Sequence, residues 1–184
     1  DDSADIDGAS RGLGDLGFMF ARLLSGSTHT FLEHFSPAAL ARTIEQQRVT
    51  ETLLVPSMIQ MFVDSLAVAD VDLSTLRRII YGASPIGEAL LERATARLPH
   101  VEFVQAYGMT ELAPIATLLP WQGHIGPAKE QGKHRSAGRA TATVDVRVVD
   151  RYDNPVRCRE IGEIVVRGSN VMMGYWNRRE ETAT

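Results

Sequence analysis

The apolar positions of the chain fall into short blocks that alternate between two periodicities. Over residues 13–24, Leu13, Leu16, Phe20 and Leu24 recur at helical spacing, and Gly26 supplies a stop. Residues 28–32 predict a short strand. Ser36 reads as an N-cap with Pro37 at the first helical position, and Leu40 and Ile44 form the buried stripe of the helix that follows. A strand is predicted over 52–55, and Pro56-Ser57 then opens a helix with Ile59, Phe62, Val63 and Leu66 on its inward face. Residues 78–81 give another strand. Gly87 caps a helix that buries Leu90, Leu91, Ala94 and Leu98 and ends at Pro99. Strands over 102–107 and 115–119 follow. Strands alternating with helices of about ten residues or more predict an α/β fold, with a mostly parallel sheet and flanking helices.

After Trp121 the texture changes. Residues 123–138 read as a polar loop containing Gly, Lys and His, of a length typical of mobile or functional segments. Beyond it Val144, Val146 and Val148 alternate with Thr143, Asp145 and Arg147, which is strand period. Asp153-Asn154-Pro155 supplies a turn, and residues 161–167 a second strand. The expected organisation is an α/β unit over 1–122, followed by a loop and β-rich unit over 123–184. Residues 1–12 are acidic and small, with little periodicity, and there is no internal repeat or low-complexity tract.

Composition narrows the class. A length of 184 residues corresponds to one domain or one and a fraction. With 19 Lys+Arg against 23 Asp+Glu the net charge is −4, so there is no electrostatic reason to expect nucleic acid or an anionic membrane surface as partner. Hydrophobic residues at 44% beside 23% charged describe a globular chain rather than a disordered one. The lone Cys158 excludes an internal disulfide framework and a multi-cysteine zinc site. No apolar run reaches the ~18 residues of a spanning helix and no signal peptide opens the chain, which favours a cytoplasmic location. The chain starts at Asp1 and stops at Thr184 without a closing element, and so reads as a piece of a longer protein.

Two patterns are weighed and set aside. Gly12-x-Gly14-x-x-Gly17, with Glu33 after a short strand, superficially matches a dinucleotide fingerprint. The fingerprint needs a strand just before its first glycine, and residues 5–11 do not read as one, so small residues easing helix packing is the preferred reading. His29 and His34 fall on opposite faces of an extended strand, while His100, His124 and His134 are scattered. None forms the helical i, i+4 pair of a zinc site, and surface or hydrogen-bonded histidines are expected.

The strong signal lies at the ends of two successive strands. Ile79-Ile80-Tyr81 runs into Gly82-Ala83-Ser84-Pro85, and Phe103-Val104-Gln105-Ala106 runs into Tyr107-Gly108-Met109-Thr110-Glu111. In open α/β sheets ligands sit beyond the carboxyl ends of strands. Gly82 and Ala83 leave backbone uncovered for a flat ring, and Tyr107 can supply the opposing aromatic face. Gly108 lets the chain turn, so that a Thr110 hydroxyl can donate to phosphate and a Glu111 carboxylate can hold Mg²⁺. This set suits an adenine nucleotide. It also describes two ordinary strand-to-helix turns, and on the residues alone both readings stand.

Tyr107-Gly108-Met109-Thr110-Glu111 resembles the Tyr-Gly-x-Thr-Glu motif of the adenylate-forming superfamily, which contains acyl-CoA synthetases, aryl-CoA ligases, luciferases and peptide-synthetase adenylation domains. Val55-Pro56-Ser57 with its helix is similar to the segment lining that family's acyl pocket, and Gly82-Ala83-Ser84-Pro85 to its adenine-binding turn. Ser136-Ala137-Gly138-Arg139, Gly162-Glu163-Ile164, Arg167-Gly168 and Val171-Met172-Met173-Gly174-Tyr175-Trp176-Asn177 follow its next stretch in order and spacing. The resemblance covers most of residues 25–180. Gly26-Ser27-Thr28-His29, Ser36-Pro37-Ala38-Ala39-Leu40 and Leu53-Leu54-Val55-Pro56-Ser57-Met58-Ile59 are most similar to fatty-acyl-CoA synthetases, with Met58, Ile59 and Phe62 serving either as an apolar pocket wall or as plain core.

The resemblance implies part of the large domain of a two-step ligase that makes an acyl-adenylate from ATP and a carboxylic acid, with a fatty acid as the expected acid. CoA then displaces AMP. It implies nucleotide binding by Gly82, Ala83, Ser84, Tyr107, Gly108, Met109 and Thr110, catalytic positioning by Thr110 and Glu111, and Mg²⁺ at Glu111. An aryl-CoA ligase, an amino-acid-activating domain and a degenerate nucleotide-binding module are the alternatives. The family's phosphate loop, aromatic-His pair, ribose-gripping Thr-Gly-Asp and catalytic lysine have no counterpart in these residues; Asp1-Asp2 stands where the aromatic-His pair belongs. Residues 1–184 by themselves are therefore expected to be inactive.

Overall fold

The computed structural model describes residues 4–8 and 22–183. The predicted helix around Leu13, Leu16 and Phe20 and the Gly12-x-Gly14-x-x-Gly17 pattern lie outside the described residues. Among the described residues seven strands form one sheet: β1 (Ala4–Gly8), β2 (Thr28–Leu32), β3 (Glu51–Leu54), β4 (Arg78–Tyr81), β5 (Glu102–Gly108), β6 (Ile115–Leu119) and β7 (Arg139–Ala140). Their order is β2-β1-β3-β4-β5-β6-β7. The strands from β2 to β5 are parallel, and β6 and β7 are antiparallel additions at one edge. The fold is α/β with a mainly parallel sheet.

The helices are α1 (Pro37–Gln47), α2 (Pro56–Asp64) and α3 (Glu88–Arg97), with two short ones later, α4 (Gly126–Glu130) and α5 (Arg179–Thr182). Ser36 caps α1 as its position predicts, its hydroxyl accepting from Ala39 N at 3.1 Å, and Leu40 and Ile44 are fully buried. They join Ile59 and Phe62 of α2 and Leu91 and Ala94 of α3 in one core against Leu54, Ile79, Tyr81 and Phe103. Ile79 and Tyr81 are two apart on β4, and so reach the same side of the sheet. At the opposite end of the strands a charge ladder sets the register. Glu51 is buried and paired to Arg22 and to Arg78 (3.0 Å), and Arg78 reaches Glu102 at 2.6 Å. Glu51, Arg78 and Glu102 stand directly opposite one another on β3, β4 and β5.

Several sequence expectations change. Residues 5–11 were not expected to hold a strand, yet β1 sits between β2 and β3 and pairs with both. Two-sided backbone pairing stabilises a segment whose own composition is poor in strand formers. Residues 22–24 are helical, but Leu24 is exposed rather than inward. Leu66 was expected on the buried face of α2. The helix ends at Asp64, the Ser65 hydroxyl caps a turn over Leu66–Val68, and Leu66 is 87% exposed while Val68 takes the buried place. The strand predicted from residue 52 begins at Glu51, and Ile161, expected within the last strand, is fully exposed ahead of β9 (Glu163–Gly168). β9 pairs antiparallel with β8 (Val144–Val149) as a separate two-stranded sheet.

The predicted loop over 123–138 is a series of helical turns. α4 is flanked by single turns over Trp121–His124 and Lys133–Arg135. The segment is pinned to α3 by Lys129–Glu92 (2.9 Å), Arg135–Glu88 (2.7 Å) and His134–Glu88 (3.2 Å). Turns this short have no room for an apolar periodicity. Burial falls instead on two histidines, His124 and His134. His100 also meets the histidine expectation, its Nε2 lying 3.1 Å from the Leu73 carbonyl.

Candidate functional site

Because β4 and β5 run parallel with Tyr81 opposite Gln105, the turns that follow them emerge side by side at the carboxyl edge of the sheet. Gly82 opens the first turn. A Cβ there would lie 2.5 Å from the carbonyl oxygen of Ala106, so only glycine lets the turn rest on β5. Ala83 has φ +65°, a left-handed conformation that costs of order 1–3 kcal/mol outside glycine and needs support from its surroundings. Ala83 and Ser84 are exposed, presenting backbone and small side chains outward.

The residue before this turn is anchored in the core. The Tyr81 ring is fully buried, and its hydroxyl lies 2.7 Å from His124 Nε2. His124 Nδ1 lies 3.2 Å from the Pro120 carbonyl. A carbonyl only accepts, so the proton sits on Nδ1, and Nε2 accepts from the Tyr81 hydroxyl. Burial pushes the His124 pKa down and the Tyr81 pKa up, so both groups stay neutral. Tyr81→Phe is expected to leave Nε2 buried without a donor and to cost about 1–3 kcal/mol, read by denaturant unfolding; an unchanged midpoint would show that this buried hydrogen bond contributes nothing to stability.

At the end of β5 the pairing with β6 shifts register between Tyr107 and Gly108, a bulge that re-aims the chain. A Cβ on Gly108 would overlap the Pro114 carbonyl. Tyr107 is half-buried, Met109 and Thr110 are exposed, and Leu112 is buried as the anchor of a turn over Thr110–Leu112. The Glu111 carboxylate accepts a hydrogen bond from the Tyr175 hydroxyl, which holds its pKa below the ordinary carboxylate value. The turn's backbone is tied to the same distant segment: Met172 N donates to the Glu111 carbonyl at 2.8 Å, and Asn170 Nδ2 to the Leu112 carbonyl at 2.6 Å.

The structure therefore brings Gly82 against the residue before Tyr107, and presents Ala83, Ser84, Met109 and Thr110 at the surface of the same edge. It does not open Ile59 and Phe62 to a pocket. Both are buried in the core, and Met58 is half-buried against it. Residue types and spacing did not single out Tyr81–His124 or Tyr175. Tyr175 stands within a stretch whose resemblance was visible, without a role attached to it.

Residues 13–176 match the family described as AMP-binding enzyme. The chain is 36% identical over 166 residues to the medium/long-chain-fatty-acid–CoA ligase FadD8 of Mycobacterium tuberculosis, covering 90% of this chain and 28% of that protein. It is 40% identical over 161 residues to a feruloyl-CoA synthase of an Amycolatopsis species, covering 88% of this chain and 31% of that one. Among solved structures it resembles the amide bond synthetase McbA of Marinactinospora thermotolerans, with a TM-score of 0.85 at 29% identity over 100% of this chain and 36% of that one. The chain thus spans about three-tenths of the length of these curated relatives.

Proposed function

The chain belongs to the AMP-binding enzyme family, and on that premise we propose that it carries the adenine and phosphate-side turns of an ATP-dependent acid–thiol ligase whose acid is a fatty acid. The observation that carries the reading is the pair of turns at the ends of β4 and β5, where Gly82 lies against Ala106 and the Tyr107–Glu111 run begins. Adenine lies on Gly82, Ala83 and Ser84 with Tyr107 as its aromatic neighbour. Gly108 and Met109 lead the chain to Thr110, whose hydroxyl donates to a phosphate oxygen. The substrate carboxylate attacks the α-phosphorus, pyrophosphate leaves, and the acyl-adenylate forms. The CoA thiolate then attacks the acyl carbon and AMP departs. Thr110 and Glu111 act by position and charge, with no proton transfer asked of either.

The residues fit a hard cation of the Mg²⁺ kind. Glu111 offers an ionised carboxylate of which Tyr175 occupies only Oε1, and Mg²⁺ is commonly held by one or two carboxylates plus substrate phosphates and water. Bound there, Mg²⁺ supplies neutralisation of phosphate charge. Among the described residues no helix is long and apolar enough to cross a membrane; ATP and CoA as co-substrates point to the cytoplasm.

With Ile59 and Phe62 in the core, the fatty-acid reading rests on the likeness to FadD8. The 40% identity to a feruloyl-CoA synthase favours an aryl acid as the second reading. Carboxylate-dependent pyrophosphate exchange by the full-length enzyme decides between them. Exchange with octanoate or palmitate is expected; exchange with ferulate alone would transfer the proposal to aryl acids, and none with any acid would end the ligase reading. In the same assay Tyr107→Ala is expected to weaken ATP binding by ~1–2 kcal/mol, with Tyr107→Phe nearly silent. An equal loss in both variants would assign the contact to the hydroxyl rather than the ring.

A further inference from the structure

The Glu111 side chain springs from a single turn, where its carboxylate also accepts from the residue's own backbone N–H and no group of β5 or β6 is recorded against it. An unrestrained glutamate samples many rotamers, and a metal-binding group that must first be ordered binds more weakly. Three observations show where the restraint comes from. The Tyr175 hydroxyl donates to Glu111 Oε1 across 64 residues of chain. Met172 N and Asn170 Nδ2 hold the carbonyls of Glu111 and Leu112, so the backbone on which the carboxylate rides is gripped by the same strand exit.

Tyr175 itself is seated. Its backbone N–H donates to Thr182 Oγ1 at 3.0 Å, while that hydroxyl donates to the Arg178 carbonyl at 2.6 Å. Gly174, at φ +143°, brings the chain so close that a Cβ would lie 2.5 Å from Thr182 Cγ2. A glycine is required there both by the backbone conformation and by the space. The stretch from Gly168 to Thr182 thus presents one stiff phenol, with few rotatable bonds, to one flexible carboxylate.

We infer that Tyr175 is a positioning residue for Glu111: by occupying one carboxylate oxygen it fixes the direction of the other, so that residues 168–182 complete the cation side of the site. The inference deepens the proposed role of Glu111 and rests on it. A ring that merely pinned the 168–182 segment would contribute to stability and leave cation affinity alone. A positioning phenol acts through its hydroxyl and through Glu111.

The test is a double-mutant cycle on the full-length enzyme holding α,β-methylene-ATP, with Mn²⁺ titrated by electron paramagnetic resonance as the probe. Tyr175→Phe keeps the ring and is expected to weaken Mn²⁺ binding about tenfold, the scale of lost outer-sphere partners, with little change in thermal midpoint. Glu111→Gln is expected to weaken it at least as much, and the double variant no more than Glu111→Gln alone, since the two act as one unit. Thr182→Val, which loosens the seat and keeps the phenol, is expected to move Mn²⁺ affinity the same way by less, and decides the matter should Tyr175→Phe fold poorly. A normal loss in Glu111→Gln with none in Tyr175→Phe, or losses that add, would overturn the inference alone. Unchanged affinity in Glu111→Gln would overturn the cation reading and this inference with it.

Discussion

Glu111→Gln in the full-length enzyme is expected to lower adenylation by ~10²-fold or more, the scale of a lost electrostatic contact to developing charge. The substitution separates charge from shape. Glutamine has the same length, and its amide oxygen still accepts from the Tyr175 hydroxyl, so the docking of residues 168–182 on the Thr110–Leu112 turn survives. The backbone bond from Met172 N to the Glu111 carbonyl is untouched. Thermal stability should therefore stay near that of the parent while turnover collapses, and raised Mg²⁺ should restore part of it because an amide oxygen remains a weak ligand. The readout is pyrophosphate exchange over a Mg²⁺ series. Parental turnover at ordinary Mg²⁺ would remove Glu111 from the cation role and leave Tyr175 without a function in the site.

Gly108→Ala is expected to be strongly destabilising. An added Cβ would overlap the Pro114 carbonyl and come within 2.9 Å of Ile115 Cα, both backbone atoms that cannot rotate away. To accept it β6 must move off β5 where their register already shifts. Overpacking of this kind costs about 3 kcal/mol or more when backbone must shift. The loss also reaches the chemistry, because Tyr107 lies on one side of the bulge and Thr110 and Glu111 on the other. Gly87→Ala is the control: nothing lies within 4 Å of its Cβ position, and its φ of −71° suits any residue. Its effect should be about 1 kcal/mol, the scale on which alanine falls short of glycine at an N-cap, well under the loss in Gly108→Ala. Thermal midpoints of the two variants check the contrast. A Gly108→Ala enzyme as stable and active as Gly87→Ala would show that the β5–β6 junction yields freely, against the close packing drawn from it.

Local elements were legible where the physical cause is itself local. Ser36 and Pro37 start a helix through groups within one turn, and Leu40 and Ile44 mark its buried stripe at helical spacing. Arg78 and Glu102 open strands predicted from the sequence and Glu51 falls one residue before a third, but their mutual pairing is a property of the assembled sheet. The run from Tyr107 to Glu111 was legible for a similar reason. Its aromatic, glycine, hydroxyl and carboxylate are contiguous, so their chemistry can be read without knowing what lies across from them.

By itself, then, the sequence determined the α/β alternation, the main strand and helix positions, and the two turns proposed to bind the nucleotide, because periodicity, caps and contiguous donors act over a few residues. Tertiary structure alone decided the rest. β1 is a strand because β2 and β3 satisfy its backbone on both sides. Ile59 and Phe62 are core rather than pocket because α2 turns that face toward the sheet. His124 is a buried acceptor because Tyr81 points its hydroxyl at it. Glu111 is held by Tyr175, which no local pattern connects to it. In each case the deciding partner is a hydrogen-bonding or packing group remote in the chain, and a preference summed over neighbours carries no information about which remote group will arrive.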